Sequence, residues 1–335
     1  MAYLDYNAGA PVHELVIKRM TEALAVVGNP SSVHQFGRKA RRLMEDARSQ
    51  IANAVGATPG QVIFTSGGTE ANALAMAQAE RNARLISATE HPSVLAYGSD
   101  QLIRVDMHGR IDLEHMRAQL GQGGRNLVSF AASNNETGVI QPVIDAVELA
   151  HDFGAHVHVD AVQMLGKGPC SIAEWGADSI SLSAHKIGGP KGIGALVIRD
   201  GYPIEPILKG GGQELRRRAG TENIPGVVGF AAAVEAMGQL GDWQTRAQSL
   251  RDRVEKTIQD FAPEAVIFGQ SADRICNTSA LAMPGVKAET QLMAFDLEGI
   301  AVSAGSACSS GKVSASPVLT CLLYTSPSPR DSALS

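Results

Sequence analysis

The 335-residue chain has only four cysteines, Cys170, Cys276, Cys308 and Cys321, and they are scattered. No two have the spacing of a zinc site or a redox dithiol, so the simplest setting is a reduced cytoplasm. No segment reaches the ~18 continuous apolar residues of a membrane span. The chain opens Met1-Ala2-Tyr3-Leu4-Asp5-Tyr6, with no basic start and no apolar run, so no signal peptide is expected. There is no internal repeat and no large excess of one charge. A net charge of −5 gives no reason to expect nucleic acid or an anionic membrane as partner. What is present, 44% hydrophobic and 19% charged residues, is ordinary for a globular protein. The length suffices for a substantial core and exceeds one small domain.

Helical periodicity shows first at Ala40, Leu43, Ala47 and Ile51, with charges on the intervening face. Short β-rich runs follow at 62–64, 85–86, 127–130, 156–159, 180–182 and 196–198. Helix-like stretches at 70–83 and 142–153 lie between some of them. Strands alternating with helices predict an α/β fold, with a largely parallel sheet covered on both faces. A second amphipathic stretch places Leu250, Val254, Ile258 and Phe261 at helical spacing. It follows Gly-Asp-Trp at 241–243, a natural domain boundary. After Leu319 the periodicity dissolves, and the string from Cys321 to Ser335 resembles a translated sequencing-library adaptor. It is set aside from the fold argument; a Ser/Pro-rich disordered tail is the alternative.

Five short motifs carry chemistry. Ser181-Leu-Ser183-Ala-His185-Lys186 ends an apolar strand and precedes a glycine-rich stretch. A lysine there, facing a cleft, can be desolvated into a usable amine for an imine with an aldehyde cofactor. Most lysines are simply exposed, and that reading stands beside it. Val157-His158-Val159-Asp160 ends another strand in a carboxylate. It could pair with a protonated pyridine nitrogen or merely cap the next helix. Gln163, three residues on, could donate to a ring oxygen. Phe64-Thr65-Ser66-Gly67-Gly68-Thr69-Glu70 reads as strand, glycine turn and helix start, a seat for phosphate or a plain capping box. In Thr89-Glu90-His91-Pro92-Ser93 the histidine could stack on a flat ring or be an ordinary surface or core residue. In Ser133-Asn134-Asn135-Glu136 the second asparagine could hold a substrate carboxylate.

In this order the five resemble the class V aminotransferase family of fold-type I pyridoxal-phosphate enzymes. Tyr3-Leu4-Asp5-Tyr6-Asn7 and Gly28-Asn29-Pro30-Ser31-Ser32-Val33-His34 extend the likeness over residues 3–319. The resemblance implies a large, mostly parallel-sheet domain over 13–243. It also implies a smaller, incomplete α+β domain from 1–12 and 244–320, with 321–335 non-native. It makes pyridoxal 5′-phosphate the cofactor. Lys186 would carry it, Asp160 would face the pyridine nitrogen, Gln163 the ring oxygen, and His91 would stack. Gly68, Thr69, Ser183 and His185 would hold the phosphate. Thr221 would reach the phosphate of a neighbouring subunit, which implies a homodimer.

Ser303-Ala-Gly-Ser-Ala-Cys308-Ser-Ser-Gly311 is almost all small residues, fit to present one thiol on a mobile loop. Gly-Ser-Ala-Cys-Ser-Ser-Gly resembles the cysteine desulfurases, in its length the nitrogen-fixation and iron–sulfur group. Cys170 and Cys276 are read as buried small hydrophobes. The implied activity removes sulfur from L-cysteine, leaving alanine and a persulfide on Cys308. His91 is a candidate acceptor for the thiol proton. The implied partners are a sulfur acceptor or iron–sulfur scaffold, through which Cys308 would meet a nascent cluster; no resident metal is implied. Two departures stand out. Ala8-Gly9-Ala10-Pro11 replaces the family's more usual Ala-Thr-Thr-Pro. The family's carboxylate-gripping arginine has no counterpart, since Arg330 lies in the adaptor-like string, so poor cofactor binding or inactivity on cysteine is expected. A selenocysteine lyase and a catalytically dead scaffold are the competing readings.

Overall fold

The computed structural model describes residues 1–98, 101–305 and 316–325. The strands are β1 (Ala2–Tyr3), β2 (Val62–Thr65), β3 (Arg84–Ser87), β4 (Leu102–Ile103), β5 (Leu127–Ala131), β6 (His156–Asp160), β7 (Ser179–Ser183), β8 (Gly194–Ile198), β9 (Val266–Ile267), β10 (Leu281–Ala282) and β11 (Ile300–Ala301). The α-helices are α1 (Glu14–Leu24), α2 (Gln35–Ala54), α3 (Gly68–Met76), α4 (Pro92–Leu95), α5 (Leu113–Gly121), α6 (Val143–Asp152), α7 (Ile172–Trp175), α8 (Ile224–Gln239), α9 (Trp243–Phe261), α10 (Ala288–Leu297) and α11 (Pro317–Thr325). Seven strands form the main sheet, in the order β2-β8-β7-β6-β5-β3-β4. Its pairings from β7 to β4 are parallel, and β8 runs antiparallel to both β2 and β7.

The residues explain this arrangement. β2, β7 and β8 are buried at every position, as strands covered on both faces must be. α2 turns Gly37, Ala40, Met44, Ala47 and Ile51 toward the core, the three-and-four spacing of a buried helical stripe. His34 starts it by accepting the Gly37 N–H on its Nδ1 at 3.2 Å. α8 carries Gly226, Val227, Gly229, Phe230 and Ala233 buried and packs against α1 and α2. β1 pairs in parallel with β11, Ala2 opposite Ile300, so the start of the chain is stitched to a region 298 residues later. In register, Ala131 faces Asp160 and Asp160 faces Ser181. The carboxyl ends of three parallel strands thereby open on one crevice, the usual ligand position in such sheets.

Three expectations are adjusted. The helix expected over 70–83 ends at Met76, and a single 3-10 turn at Arg81–Ala83 follows. The stripe at 250–261 is helical, as its spacing demands, yet Leu250, Val254 and Phe261 are exposed. α9 instead buries Glu255, whose carboxylate takes both arms of Arg274 at 2.7 and 2.8 Å. Periodicity also runs past Leu319, because Val318 and Leu322, one helical turn apart, bury together against Val105 and Phe268. Among the described residues no single helix is long and apolar enough to cross a membrane.

Candidate active site

β7 delivers its last residue, Ser183, into a 3-10 turn that ends on Lys186. The Lys186 side chain is buried and its Nζ donates to the carbonyls of Asn7 and, at 3.2 Å, Ala8. Those carbonyls belong to an N-terminal strap held over the turn by Ala10 N–H to His185 O (2.8 Å) and His13 N–H to Gly188 O (3.0 Å). A lysine so enclosed loses part of the hydration that favours its ammonium form.

Asp160 ends β6 with its carboxylate fixed from two sides. Oδ1 accepts the Val162 N–H at 2.9 Å and Oδ2 accepts Asn72 Nδ2 at 2.7 Å. The second bond orients Asn72, whose Oδ1 then accepts from His158 Nε2 at 3.1 Å. His158 is fully buried, and burial holds it neutral, its pKa brought down to about 4. Asn72 also donates to Ser93 Oγ at 2.9 Å. The hydroxyl proton of Ser93 is thereby left for His91 Nδ1, 2.7 Å away. Ser93 N–H points at the same Nδ1 at 3.1 Å. A neutral His91 consequently carries its proton on Nε2.

A second carboxylate stands behind Asp160. Glu90 is buried, and burial together with the Asp160 charge lifts its pKa to about 8. At neutral pH Glu90 therefore keeps its proton. A buried carboxyl at the end of β6 is placed where a pyridine nitrogen could meet it.

At the other end of the crevice α3 begins at Gly68 with Gly67 as its N-cap, and no side chain caps it. Its first N–H groups and its dipole face the space beside Thr69, Ser183 and His185, a geometry suited to phosphate. Ser183 Oγ and His185 Nδ1 are 2.9 Å apart. Burial first, and Lys186 next, bring the His185 pKa down to about 4. Glu70 accepts the Ser66 N–H, one residue before the N-cap, at 2.7 Å, and takes Arg218 Nε at 2.8 Å. The Glu70 carboxylate is thus turned back to Ser66 and Arg218, and the α3 N-terminus carries no side-chain cap.

These side chains line one cavity of ≈ 380 Å³, in the range of small-molecule sites. Gly68, Thr69, His91, Asn135, Asp160, Gln163, Ser183, His185 and Lys186 all border it. Thr221 does not; it lines a separate surface hollow with Ile207–Gly211, Gln213, Ala219 and Gly220. Cys308 lies outside the described residues. Gly305 borders the cavity before it, and Ser316 after it donates to Glu136 Oε2 at 2.6 Å, where Glu136 is also a cavity residue. Burial raises the other three thiols, Cys170 to about 12, which keeps them protonated.

Sequence reasoning missed Asn7, Lys167 and Asn72. Asn7 Nδ2 reaches Asn135 O (3.1 Å) and Thr278 Oγ1 (2.8 Å), and its carbonyl accepts from Gln163 Nε2 at 2.9 Å. Lys167 Nζ donates to Gln163 Oε1 at 2.6 Å and to Asn7 Oδ1 at 3.2 Å. The only available signal for Asn7 was its place in the opening motif, and for Lys167 its position four residues after Gln163.

The residues present fit pyridoxal phosphate. Ser133 Oγ and Asn277 Oδ1 are buried at the cavity without a hydrogen-bond partner among the described residues. Buried polar atoms left unpaired cost free energy, and a polar ligand removes that cost. The lysine, the carboxyl and the helix N-terminus are also the three groups that an aldehyde, a pyridinium and a phosphate require. Among the described residues no cluster of His, Cys, Asp or Glu is arranged to hold a metal ion.

Comparison with known proteins agrees. The family model "Aminotransferase class-V" matches residues 2–323. The cysteine desulfurase IscS of Dictyoglomus turgidum is 38% identical over 336 residues, covering 96% of this chain and 85% of that protein. A cysteine desulfurase of Cereibacter sphaeroides is 41% identical over 334 residues, covering 95% and 85%. The X-ray structure of a NifS-like protein from Rickettsia africae superposes with a TM-score of 0.88 at 34% identity, covering 96% of this chain and 89% of that one. The seven-stranded sheet with Lys186 and Asp160 at its carboxyl edge thus belongs to a chain of the class V aminotransferase family, whose members depend on pyridoxal phosphate.

Proposed function

We propose that this chain is a cysteine desulfurase, which takes the sulfur of L-cysteine onto Cys308 and releases alanine. The observation that carries this reading is the shared cavity of Lys186, Asp160, His91, Gln163 and Asn135, bordered by Gly305 on the way to Cys308. Lys186 would hold the cofactor aldehyde and, once displaced by the substrate amine, move the substrate's α-proton. Asp160 would bind the pyridinium, and Gln163 the ring oxygen. The α3 N-terminus with Thr69, Ser183 and His185 would bind the phosphate. Bound pyridoxal phosphate supplies an electron-poor ring that accepts the electron pair released at the substrate α-carbon. Asn135 would orient the substrate carboxylate, and His91, with its proton on Nε2, would return a proton to the three-carbon product. The Cys308 thiolate attacks the substrate sulfur; the carbon–sulfur bond breaks, and the sulfur stays as a persulfide. A sulfur acceptor or iron–sulfur scaffold would take it onward. Thr221, outside its own cavity on the hollow at 207–221, fits a role toward a second copy of the chain.

Among the described residues no arginine lines the cavity, and the expected outcome is slow turnover on cysteine with a high KM. The test is cofactor capture. Incubation with pyridoxal phosphate should give a visible absorbance band that borohydride abolishes, with the reduced adduct on the Lys186 peptide. Cysteine should then add one sulfur to the Cys308 peptide and yield alanine, and Lys186→Ala should abolish both. An unmodified Lys186 after reduction refutes the proposal. Comparing cysteine with selenocysteine separates it from a selenocysteine lyase.

A further inference from the structure

Asn72 is 1% exposed, on the inner side of α3, where its neighbours Ala71, Leu74, Ala75 and Met76 are apolar. It borders the cavity, yet the proposed reaction gives it no part. A helix interior disfavours asparagine, and a buried amide costs free energy unless it is hydrogen-bonded. Leucine has the same branched outline and would fill the position without that cost. The amide is therefore explained by its partners. Its Nδ2 donates to Asp160 Oδ2 at 2.7 Å and to Ser93 Oγ at 2.9 Å. Its Oδ1 faces His158 Nε2 at 3.1 Å. With donors engaged on one side and the acceptor on the other, the amide has one orientation.

These bonds cross between elements. Asp160 ends β6, while α3 is the helix whose uncapped N-terminus, at Gly68, is the proposed phosphate seat. Asn72 lies about one turn inside that end. Asp160 Oδ1 is held within its own turn by the Val162 N–H at 2.9 Å. The bond from Asn72 adds a fixed point on a different element, so the plane of the carboxyl is set relative to α3. The Ser93 branch runs on to His91 Nδ1 at 2.7 Å. One amide thus touches the group meant for the ring nitrogen and steadies the histidine meant for the ring face.

We propose that Asn72 is a positioning residue that aims the Asp160 carboxyl at the ring nitrogen, by tying the end of β6 to the helix that seats the phosphate. The inference rests on the cofactor reading above and assigns to it a residue that the reading left unused.

The experiment is equilibrium absorbance titration with pyridoxal phosphate of the unaltered chain, Asn72→Leu, Asp160→Asn and the double variant. Thermal unfolding of each is recorded alongside. Asn72→Leu should weaken binding about tenfold or more, the usual effect of losing a hydrogen bond to a carboxylate. It should also move the absorbance band of the bound cofactor toward that of Asp160→Asn. In Asp160→Asn the amide oxygen stays on the Val162 N–H, so an NH₂ group turns toward Asn72, which then has nothing to aim. The double variant should therefore bind within about threefold of Asp160→Asn alone. An Asn72 that merely stabilises the fold would lower the unfolding temperature, multiply the two affinity losses and leave the band in place. That result overturns the inference. So does an Asn72→Leu chain that binds as tightly as the unaltered one. Asn72→Asp, of the same size, serves if the leucine variant fails to fold. It removes the donor and sets a second carboxyl against the first, so the same loss is expected, with none further when Asp160→Asn is added. Borohydride that leaves Lys186 unmodified in the unaltered chain refutes the proposed function, and the inference falls with it. Multiplied losses in a chain that does capture the cofactor at Lys186 refute the inference alone.

Discussion

Removing the guanidinium of Arg48 tests how the loop before Thr221 is held. Arg48 reaches from α2 to Glu214 with two parallel bonds, Nη1 to Oε2 at 2.8 Å and Nη2 to Oε1 at 2.7 Å. Both side chains are nearly inaccessible, 8% and 2% exposed. Glu214 Oε2 also accepts the Phe64 N–H at 2.9 Å, and the guanidinium lies 4.6 Å from the Phe64 ring centre. Three consecutive non-glycine residues, Glu214, Leu215 and Arg216, have φ of 47°, 55° and 68°. Such backbone persists only when its surroundings fix it. Arg48→Met keeps the apolar stem but strands a buried carboxylate, at a cost of about 3–5 kcal/mol. In Arg48→Met/Glu214→Gln the charge is gone, and the amide oxygen still accepts from Phe64. The ring contact and the guanidinium's bonds to Val62 O (2.9 Å) and Glu45 are lost with Arg48→Met in either variant and cancel from the cycle, which leaves one imperfect hydrogen bond at the new amide, about 1 kcal/mol. Urea unfolding of the four chains in this cycle should return a coupling of at least about 2 kcal/mol. Hydrogen exchange at 214–221 should rise in the single Arg48 variant and fall back in the double. A coupling below about 0.5 kcal/mol, the level of an exposed pair, refutes the claim that this buried pair fixes the loop.

Other predictions concern the cavity and its walls. Glu90 has its folded pKa raised to about 8 from an ordinary value near 4.5. The folded state therefore binds the extra proton, and stability falls as pH rises between those values by up to about 1.4 kcal/mol per unit. Glu90→Gln should flatten that part of the stability–pH curve, measured by thermal unfolding from pH 5 to 8; an unchanged slope would show that Glu90 is not the group. Gly194→Ala should destabilise by about 1–3 kcal/mol. Its Cβ would sit 2.6 Å from Leu182 O and 2.7 Å from the Gly67 backbone, neither of which can move without shifting the α3 N-terminus. Cofactor affinity should drop with it, as equilibrium absorbance titration would reveal. Asp160→Asn removes the carboxyl facing the ring nitrogen and should lower the rate of α-proton exchange into solvent, followed by NMR, by at least about a hundredfold.

Much of the site was legible because its residues sit at ends of elements. Lys186, Asp160 and Thr69 each follow a run of apolar β-formers, and a strand end in a parallel sheet has few places to point. The sheet was readable for the same reason, since fully buried strands leave continuous apolar runs. What sequence could not give are contacts spanning long separations. Asn7 meets Thr278 across 271 residues, and Arg48 meets Glu214 across 166. Neither partner advertises the other, because a lone asparagine or arginine carries no periodicity. The stripe on α9 misled in another way. Helical spacing of Leu250, Val254 and Phe261 shows that a helix forms, not which face it covers, and here Glu255 took the inward position through Arg274.

The union of β1 with β11 sets a timetable for synthesis. Ala2 and Tyr3 are made about 298 residues ahead of their hydrogen-bonding partners, Ile300 and Ala301. At about 5–20 residues per second the opening segment waits about 15–60 s for its mate. The strap that carries Asn7 over the two lysines comes to rest only after that wait. A nascent chain can thus build most of its main sheet early, while the chamber meant for the cofactor stays open on one side until residues 300–301 have emerged.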